Sequence, residues 1–229
     1  YCGTRAGLQV TVVAAETANP LKIEAMRRFG AEVVLKGHDF DAAKAHAAEL
    51  ARATGAAFLE DGREPAIAEG AGTIALELLR SATRPAALYV PVGNGALISG
   101  IAAWTRAHAP DIRVIGVVPE AAPSMALSWR ARKVVTTERA DTIADGLAVR
   151  LPVDVAVEFM LDRVDQMVAV SEARMLDAMR LLFSHAGVAV EPSGAAGLAA
   201  ILDAPRDAAP AATILCGSNL RPDMLRDLL

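Results

Sequence analysis

One pattern constrains this chain more than any other. Short apolar runs of strand length alternate with longer stretches of helical spacing along almost the whole sequence. "VTVVAA" (10–15) is continuous and β-branched, as a buried strand is. In "ANPLKIEAMRRFG", Asn19 suits a helix N-cap and Pro20 the first helical position. Arg27 and Arg28 suit the last turn, and Gly30 the position just beyond it. "AEVVL" reads as a second strand. Asp39 or Asp41 then opens a helix through "AAKAHAAELARAT", which stops at Gly55. "AAFLE" is expected as a strand, "GTIALELLRS" as a helix and "AALYVPV" as a strand. A helix from about Leu97 to about Ala109 and the strand "IRVIGVVP" come next. Residues 121–150 are less regular, with a short helix near "SMALSWRAR". "QMVAVS" is a strand, and Ser171 caps the helix "EARMLDAMRLLFSHAG". "VAVEP", "SGAAGLAAIL" and "ATILCGSN" predict strand, helix, strand, with a surface loop at "DAPRDAAPAA". Strands that alternate with helices specify an α/β fold with a mostly parallel sheet.

In such sheets ligands sit beyond the carboxyl ends of the strands. Three expected strands end in small or polar residues: "LYVPV" in "GNG", "VAV" in "EPSG" and "TIL" in "CGSN". These ends could converge on one crevice. Gly93 and Gly95 lack a Cβ, so the backbone there can approach a ligand closely. The free N–H groups of that turn, with the start of the following helix, make an anion site. No Gly-Lys-Ser/Thr follows, so the turn is not the phosphate loop of nucleoside triphosphatases. Gly100 stands five positions after Gly95, so the dinucleotide fingerprint does not match either. Taken alone, the turn is equally compatible with an ordinary tight strand-to-helix connection.

Bulk properties exclude several classes. The net charge of −4 offers no basic excess for nucleic acid or an anionic membrane. No apolar run is long enough to span a bilayer as a helix. Cys2 and Cys216 are far apart in sequence, which predicts reduced thiols and a cytoplasmic setting rather than a disulfide framework. His38, His46, His108 and His185 share no metal-ligand spacing, and surface or helix-capping roles are expected for all four.

Six segments, in order, carry a family resemblance. "GAEVVLKGHDFDAAKAHA" looks like the strand-helix unit of threonine dehydratases, and "EPAIAEGAGTIALELL" resembles their following helix. "PVGNGALISGIA" is similar to the glycine loop of pyridoxal-phosphate enzymes of the tryptophan-synthase β-subunit type. "TIADGLAV" resembles a hallmark of the serine/threonine dehydratase branch, and "VEPSGAAGLAAIL" and "TILCGSN" resemble the last two motifs. The resemblance covers essentially the whole chain. It implies a two-domain, three-layer α/β/α fold with mostly parallel sheets, N-terminally incomplete. Residues 1–56 would be the remainder of a small domain and 57–229 a large cofactor-binding domain.

The resemblance also implies site residues. Gly93, Asn94, Gly95, Ala96 and Leu97 occupy the loop that closes on the phosphate of pyridoxal 5'-phosphate. The family usually has four glycines there, and Asn94 and Ala96 depart from that run. Backbone N–H groups do the binding, so both are tolerable if φ stays negative. Cys216 stands where the family places Ser, Thr or Cys beside the pyridine nitrogen. A neutral thiol makes the ring a weaker electron sink than a carboxylate would, which suits elimination. Glu191 is expected near the cofactor ring, and Asp145 and Gly146 at the mouth of the substrate cleft. Some relatives hold a divalent cation with Glu-x-x-x-x-x-Asp. Here Glu120 matches but Ala126 stands at the Asp position, so no metal is expected.

The implied activity is a threonine/serine ammonia-lyase that forms a 2-oxo acid and ammonia by β-elimination. Serine racemase, threonine synthase and other β-replacement enzymes share the fold. The implied partners are an amino-acid substrate and further copies of the chain, as a dimer or tetramer. Two family segments have no counterpart. These are the Ser-x-Lys-x-Arg-Gly stretch bearing the Schiff-base lysine and the Ser-Ser-Gly-Asn-His stretch that binds the substrate carboxylate. Lys22, Lys36, Lys44 and Lys133 are the only lysines and read as solvated surface residues. The catalytic lysine is therefore expected upstream of Tyr1, with this chain inactive alone. The rival reading is a short non-catalytic paralogue that binds a phosphorylated ligand or a partner.

Overall fold

The computed structural model describes residues 1–80, 84–205, 210–221, 223–224 and 226. It separates into two compact units, one built on Tyr1–Leu59 and the other on Glu60–Leu220. The centre of the expected loop at "DAPRDAAPAA" (206–209) lies outside the described residues.

The first unit runs α1 (Cys2–Arg5), β1 (Thr11–Ala14), α2 (Pro20–Arg28), β2 (Glu32–Leu35) and α3 (Phe40–Thr54). β1 and β2 pair in parallel, with Thr11 opposite Glu32 and Ala14 opposite Leu35. Helix α2 makes the crossover that parallel pairing requires. Asn19 caps it, its side chain accepting from the Leu21 N–H at 3.0 Å, with Pro20 next. Asp39, not Asp41, caps α3 by accepting from the Ala42 N–H at 2.8 Å, and Gly55 closes it. Asp41 is instead buried, with the Lys44 ammonium 3.3 Å away. Lys44 is thus mostly covered rather than solvated, while Lys36 and Lys133 are exposed. "AAFLE" forms no strand: residues 56–60 pair with no sheet and Leu59 faces solvent.

The second unit runs α4 (Pro65–Leu79), β3 (Ala87–Pro91), α5 (Ala96–His108), β4 (Arg113–Pro119) and α6 (Ser124–Ala131). A 3-10 turn at Asp145–Leu147 follows, then α7 (Asp154–Leu161), β5 (Gln166–Val170), α8 (Glu172–Ala186), α9 (Pro192–Asp203) and β6 (Ala211–Thr213). The four strands pair in parallel in the order β5-β4-β3-β6. Period-2 alternation sends their side chains to two cores. Leu88, Val90, Val114 and Met167 pack with Ala75, Ile98, Ile101, Met125 and Met160 from α4 to α7. Tyr89, Ile115, Val117 and Val170 pack with Met175, Met179, Ala195 and Ala199 from α8 and α9. The unit is therefore three-layered, helices on both faces of a parallel sheet.

Four differences from the sequence expectation appear in this unit. Helix α4 begins seven residues before "GTIALELL", with Pro65 at its first position. Residues 188–190 run irregularly, and the Glu191 N–H that follows donates to the Gly217 carbonyl at 3.2 Å. The expected eight-residue strand at "ATILCGSN" shrinks to β6, which pairs with Ala87–Tyr89 and then turns away. Helix α7 carries no cap signal and went unassigned in the sequence.

α4 and α5 cross at two glycines. A Cβ on Gly100 would overlap the Ala68 carbonyl oxygen and lie 2.6 Å from the Gly72 nitrogen. That crossing fixes the axis of α5, whose N-terminus forms the site.

Candidate functional site

The chain leaves β3 through α5 toward β4 and later returns as β6 on the other side of β3. That reversal makes the carboxyl ends of β3 and β6 a topological switch point, where parallel sheets open a crevice. A cavity of about 260 Å³ lies there. Gly93 to Leu97 form one wall, Glu191 and Ser193 at the start of α9 another, and Cys216 and Gly217 after β6 a third. Gly146 and Leu147 of the 3-10 turn, Pro91 and Asp61 complete it.

The turn between β3 and α5 presents a row of donors. Among the described residues, the backbone N–H groups of Gly93 to Leu97 donate to no protein acceptor. The last of them belong to the first turn of α5, whose dipole adds positive potential. Two glycines shape the row. Gly95 has φ +94°, which only glycine adopts cheaply. A Cβ on Gly93 would sit 2.6 Å from the Gly146 carbonyl oxygen. Asn94 and Ala96 do not have positive φ. Their side chains are therefore compatible with the turn.

The opposite wall is close-packed. Gly194 touches the Cys216 carbonyl, so a Cβ there would overlap it. The Glu191 side chain lies against Gly217 and is buried. Burial, and next the charge of Glu191, push the Cys216 thiol up from its ordinary pKa. Cys216 therefore keeps its proton at neutral pH and can offer a neutral S–H to a ring nitrogen. The 3-10 turn and the segment just before it are each pinned by a side chain. The Gly146 N–H donates to Ser193 Oγ at 3.1 Å. Glu172 accepts from Thr142 Oγ1 at 2.7 Å and from the Ile143 N–H at 3.0 Å.

Gly93, Asn94, Gly95, Ala96, Leu97, Gly146, Glu191 and Cys216 thus line one cavity. Asp145 does not: it is exposed and outside the lining. Asp61, Ser193, Leu147 and Gly217 join without having been singled out. Ser193 and Gly217 fall inside the quoted motifs "EPSG" and "CGSN", whereas nothing in the sequence pointed to Asp61.

The family model described as pyridoxal-phosphate dependent enzyme matches residues 1–217. The chain belongs to this family. It is 39% identical over 197 residues to the L-threonine ammonia-lyase of Thermotoga maritima, covering 86% of this chain and 49% of that protein. It is 38% identical over 199 residues to the chloroplastic biosynthetic threonine dehydratase of Cicer arietinum, covering 87% and 34%. The chain therefore spans about half, or less, of the length of these relatives. Among solved structures, the processed form of threonine deaminase isoform 2 from Solanum lycopersicum superposes with TM-score 0.88 at 31% identity, over 99% of this chain and 67% of that one. Maize serine racemase superposes with TM-score 0.87 at 28% identity, over 98% and 70%.

The residues present fit the family's cofactor. A phosphate matches the free N–H row of Gly93–Leu97, where the absence of two Cβ atoms leaves room. A pyridine nitrogen matches a thiol that holds its proton.

Proposed function

We propose that the whole protein is a pyridoxal-phosphate-dependent ammonia-lyase acting on L-threonine or L-serine. The observation that carries this reading is the cavity at the switch point, lined both by the Gly93–Leu97 turn with its unpartnered backbone N–H groups and by Cys216. The named threonine ammonia-lyases and dehydratases among the relatives support the substrate class. When bound, pyridoxal phosphate supplies the electron sink that lets an amino acid lose its α-proton. Gly93 to Leu97 would hold its phosphate and orient the ring. Cys216 would keep its proton on Sγ and share it with the ring nitrogen without transferring full charge. That restraint suits β-elimination, in which the leaving hydroxide takes the electrons. Gly146, held by Ser193, and Leu147, held by the Ala144 carbonyl, would wall the cavity against water.

The same reading assigns residues 1–56 to a small domain and 57–229 to a large one, with a homo-oligomeric assembly in the cytoplasm. No lysine lines the cavity among the described residues, so the reading places the Schiff-base lysine in a segment upstream of Tyr1. The test is 2-oxobutyrate formation from L-threonine by the native-length protein with added cofactor, with serine and pyruvate in parallel. Turnover of either supports the reading. Cofactor binding with no 2-oxo acid from either substrate overturns the lyase assignment, and racemised serine would replace it with a racemase.

A further inference from the structure

Asn94 stands where the cradle of this family usually has glycine, and its side chain is buried at 4% exposure. Its Nδ2 donates to Asp61 Oδ1 at 2.8 Å. An ionised carboxylate only accepts, so the donor facing it is the amide nitrogen. Oδ1 of Asn94 is buried with no protein donor among the described residues. The side chain therefore holds this pose at a cost, and the bond to Asp61 is what holds it there.

That bond joins two turns. Asp61 opens the turn 61–63 that immediately precedes α4, and Asn94 lies in the turn that precedes α5. A Cβ on Gly62 would overlap the Asn94 carbonyl oxygen, so the first turn rests on the cradle backbone itself. Arg63 then pairs with Glu60 and with Asp154, each at 2.7 Å. Asp154 opens α7, whose Ala156 lies 3.0 Å from where a Cβ on Gly95 would stand. The cradle is thus held from outside at Asn94 and backed by α7 at Gly95. The two helices are held again at the Gly72–Gly100 crossing.

We propose that Asn94 and Asp61 are a positioning pair for the phosphate cradle. The Asn94 carboxamide locks the 93–95 turn to the 61–63 turn, so the N–H row stays aimed at the phosphate before the ligand arrives. This deepens the cofactor assignment above and rests on it. Preorganised donors bind better because no ordering is left to do on binding. The pair therefore acts on a ligand that carries the phosphate and not on one that lacks it.

The test compares pyridoxal 5'-phosphate with pyridoxal on the native-length protein, reading dissociation constants from cofactor absorbance rather than turnover. Asp61 is exposed, so Asp61→Asn and Asp61→Ala keep the fold. Both remove the same charge, but only Asp61→Asn keeps an oxygen that can accept from Asn94. The expected result is that Asp61→Asn binds pyridoxal phosphate about fivefold more tightly than Asp61→Ala. Asn94→Ala should weaken it by a similar factor, and pyridoxal affinity should be the same in all three. Equal phosphate-ester binding by the two Asp61 variants overturns the proposal, as does a loss that is as large for pyridoxal. A wild-type protein that binds neither compound overturns the cofactor reading itself, and the proposal with it.

Discussion

Gly93→Ala tests whether the cradle is shaped by a close backbone approach. The new methyl carbon would stand 2.6 Å from the Gly146 carbonyl oxygen and 3.8 Å from Leu147 Cα. Relief requires an opening of roughly 0.6–0.8 Å, and the atom that must move is main chain, not a flexible side-chain end. That main chain is held. The Gly146 N–H bonds Ser193 Oγ at 3.1 Å and the Leu147 N–H bonds the Ala144 carbonyl at 2.8 Å. Leu147 is itself buried in the core under α8 and α9. Overpacking of this kind costs about 1–3 kcal/mol. For a domain of this size each kcal/mol moves the unfolding midpoint by roughly 2–4 °C. The cofactor-free protein should therefore melt about 2–12 °C lower. On the proposed phosphate assignment, displacing one N–H of this turn should weaken cofactor binding by about ten- to a hundredfold, the worth of a hydrogen bond to a charged group. Gly70→Ala is the matched control. Gly70 lies within α4 and a Cβ there meets nothing within 4 Å. That change should stabilise by about 0.4–1 kcal/mol and leave affinity alone. Thermal unfolding and cofactor titration of both variants decide the matter. A Gly93→Ala protein with the wild-type midpoint and wild-type affinity would refute the argument from close approach.

Three further outcomes follow from the same packing. Cys216 has a raised folded-state pKa, so its contribution to stability is complete below the ordinary thiol range and is lost as pH rises through the folded value. Unfolding measured between about pH 7 and 10.5 should show the wild type falling more steeply than Cys216→Ser above about pH 8.5, where thiols ordinarily begin to ionise; parallel curves would contradict this. Glu172→Ala strips the partners from Thr142 Oγ1 and the Ile143 N–H, at a cost of about 1–3 kcal/mol. Limited proteolysis should detect new cleavage around 140–147, whereas an unchanged pattern would mean that the segment is held elsewhere. Gly100→Ala drives a methyl into the Ala68 carbonyl at the α4–α5 crossing and should cost more than about 3 kcal/mol, beyond ordinary overpacking. A well-folded variant with a near-normal midpoint would show that the helices can part.

Elements with local punctuation were legible in the sequence. Asn19-Pro20, Asp39 and Ser171 marked helix starts because each side chain really does accept from an N–H of the first turn. Continuous apolar runs such as "ALYVP" and "RVIGVVP" read correctly because both faces of these strands are covered. The failures were decided by partners rather than propensity. "AAFLE" and "VAV" have strand-like residues, but among the described residues no neighbouring strand receives their hydrogen bonds. Helix α7 escaped because Val153 stands at its N-cap with no side-chain bond, so nothing local marks its start. The division between Asp39 and Asp41 could not be drawn from the sequence either. Both are spaced to cap, and only the fold turns Asp41 inward toward Lys44.

The site divides along the same line. A cradle made of main chain leaves its mark as positions from which a side chain is excluded, and glycine records that directly. The structure shows that the exclusion is unequal. Position 93 excludes a Cβ because a carbonyl faces it, and position 95 because its φ is +94°. Positions 94 and 96 exclude nothing, since neither has positive φ. Four glycines are therefore more than this turn needs, and the two departures do not argue against phosphate binding. At position 94 the freedom is used: the side chain that replaces glycine reaches 33 residues back in sequence to Asp61. A bond of that separation has no local periodicity or spacing to announce it, so Asp61 was invisible until the chain was folded. The glycines mark where the backbone is closely approached, and the Asn94–Asp61 bond ties that turn to the one before α4.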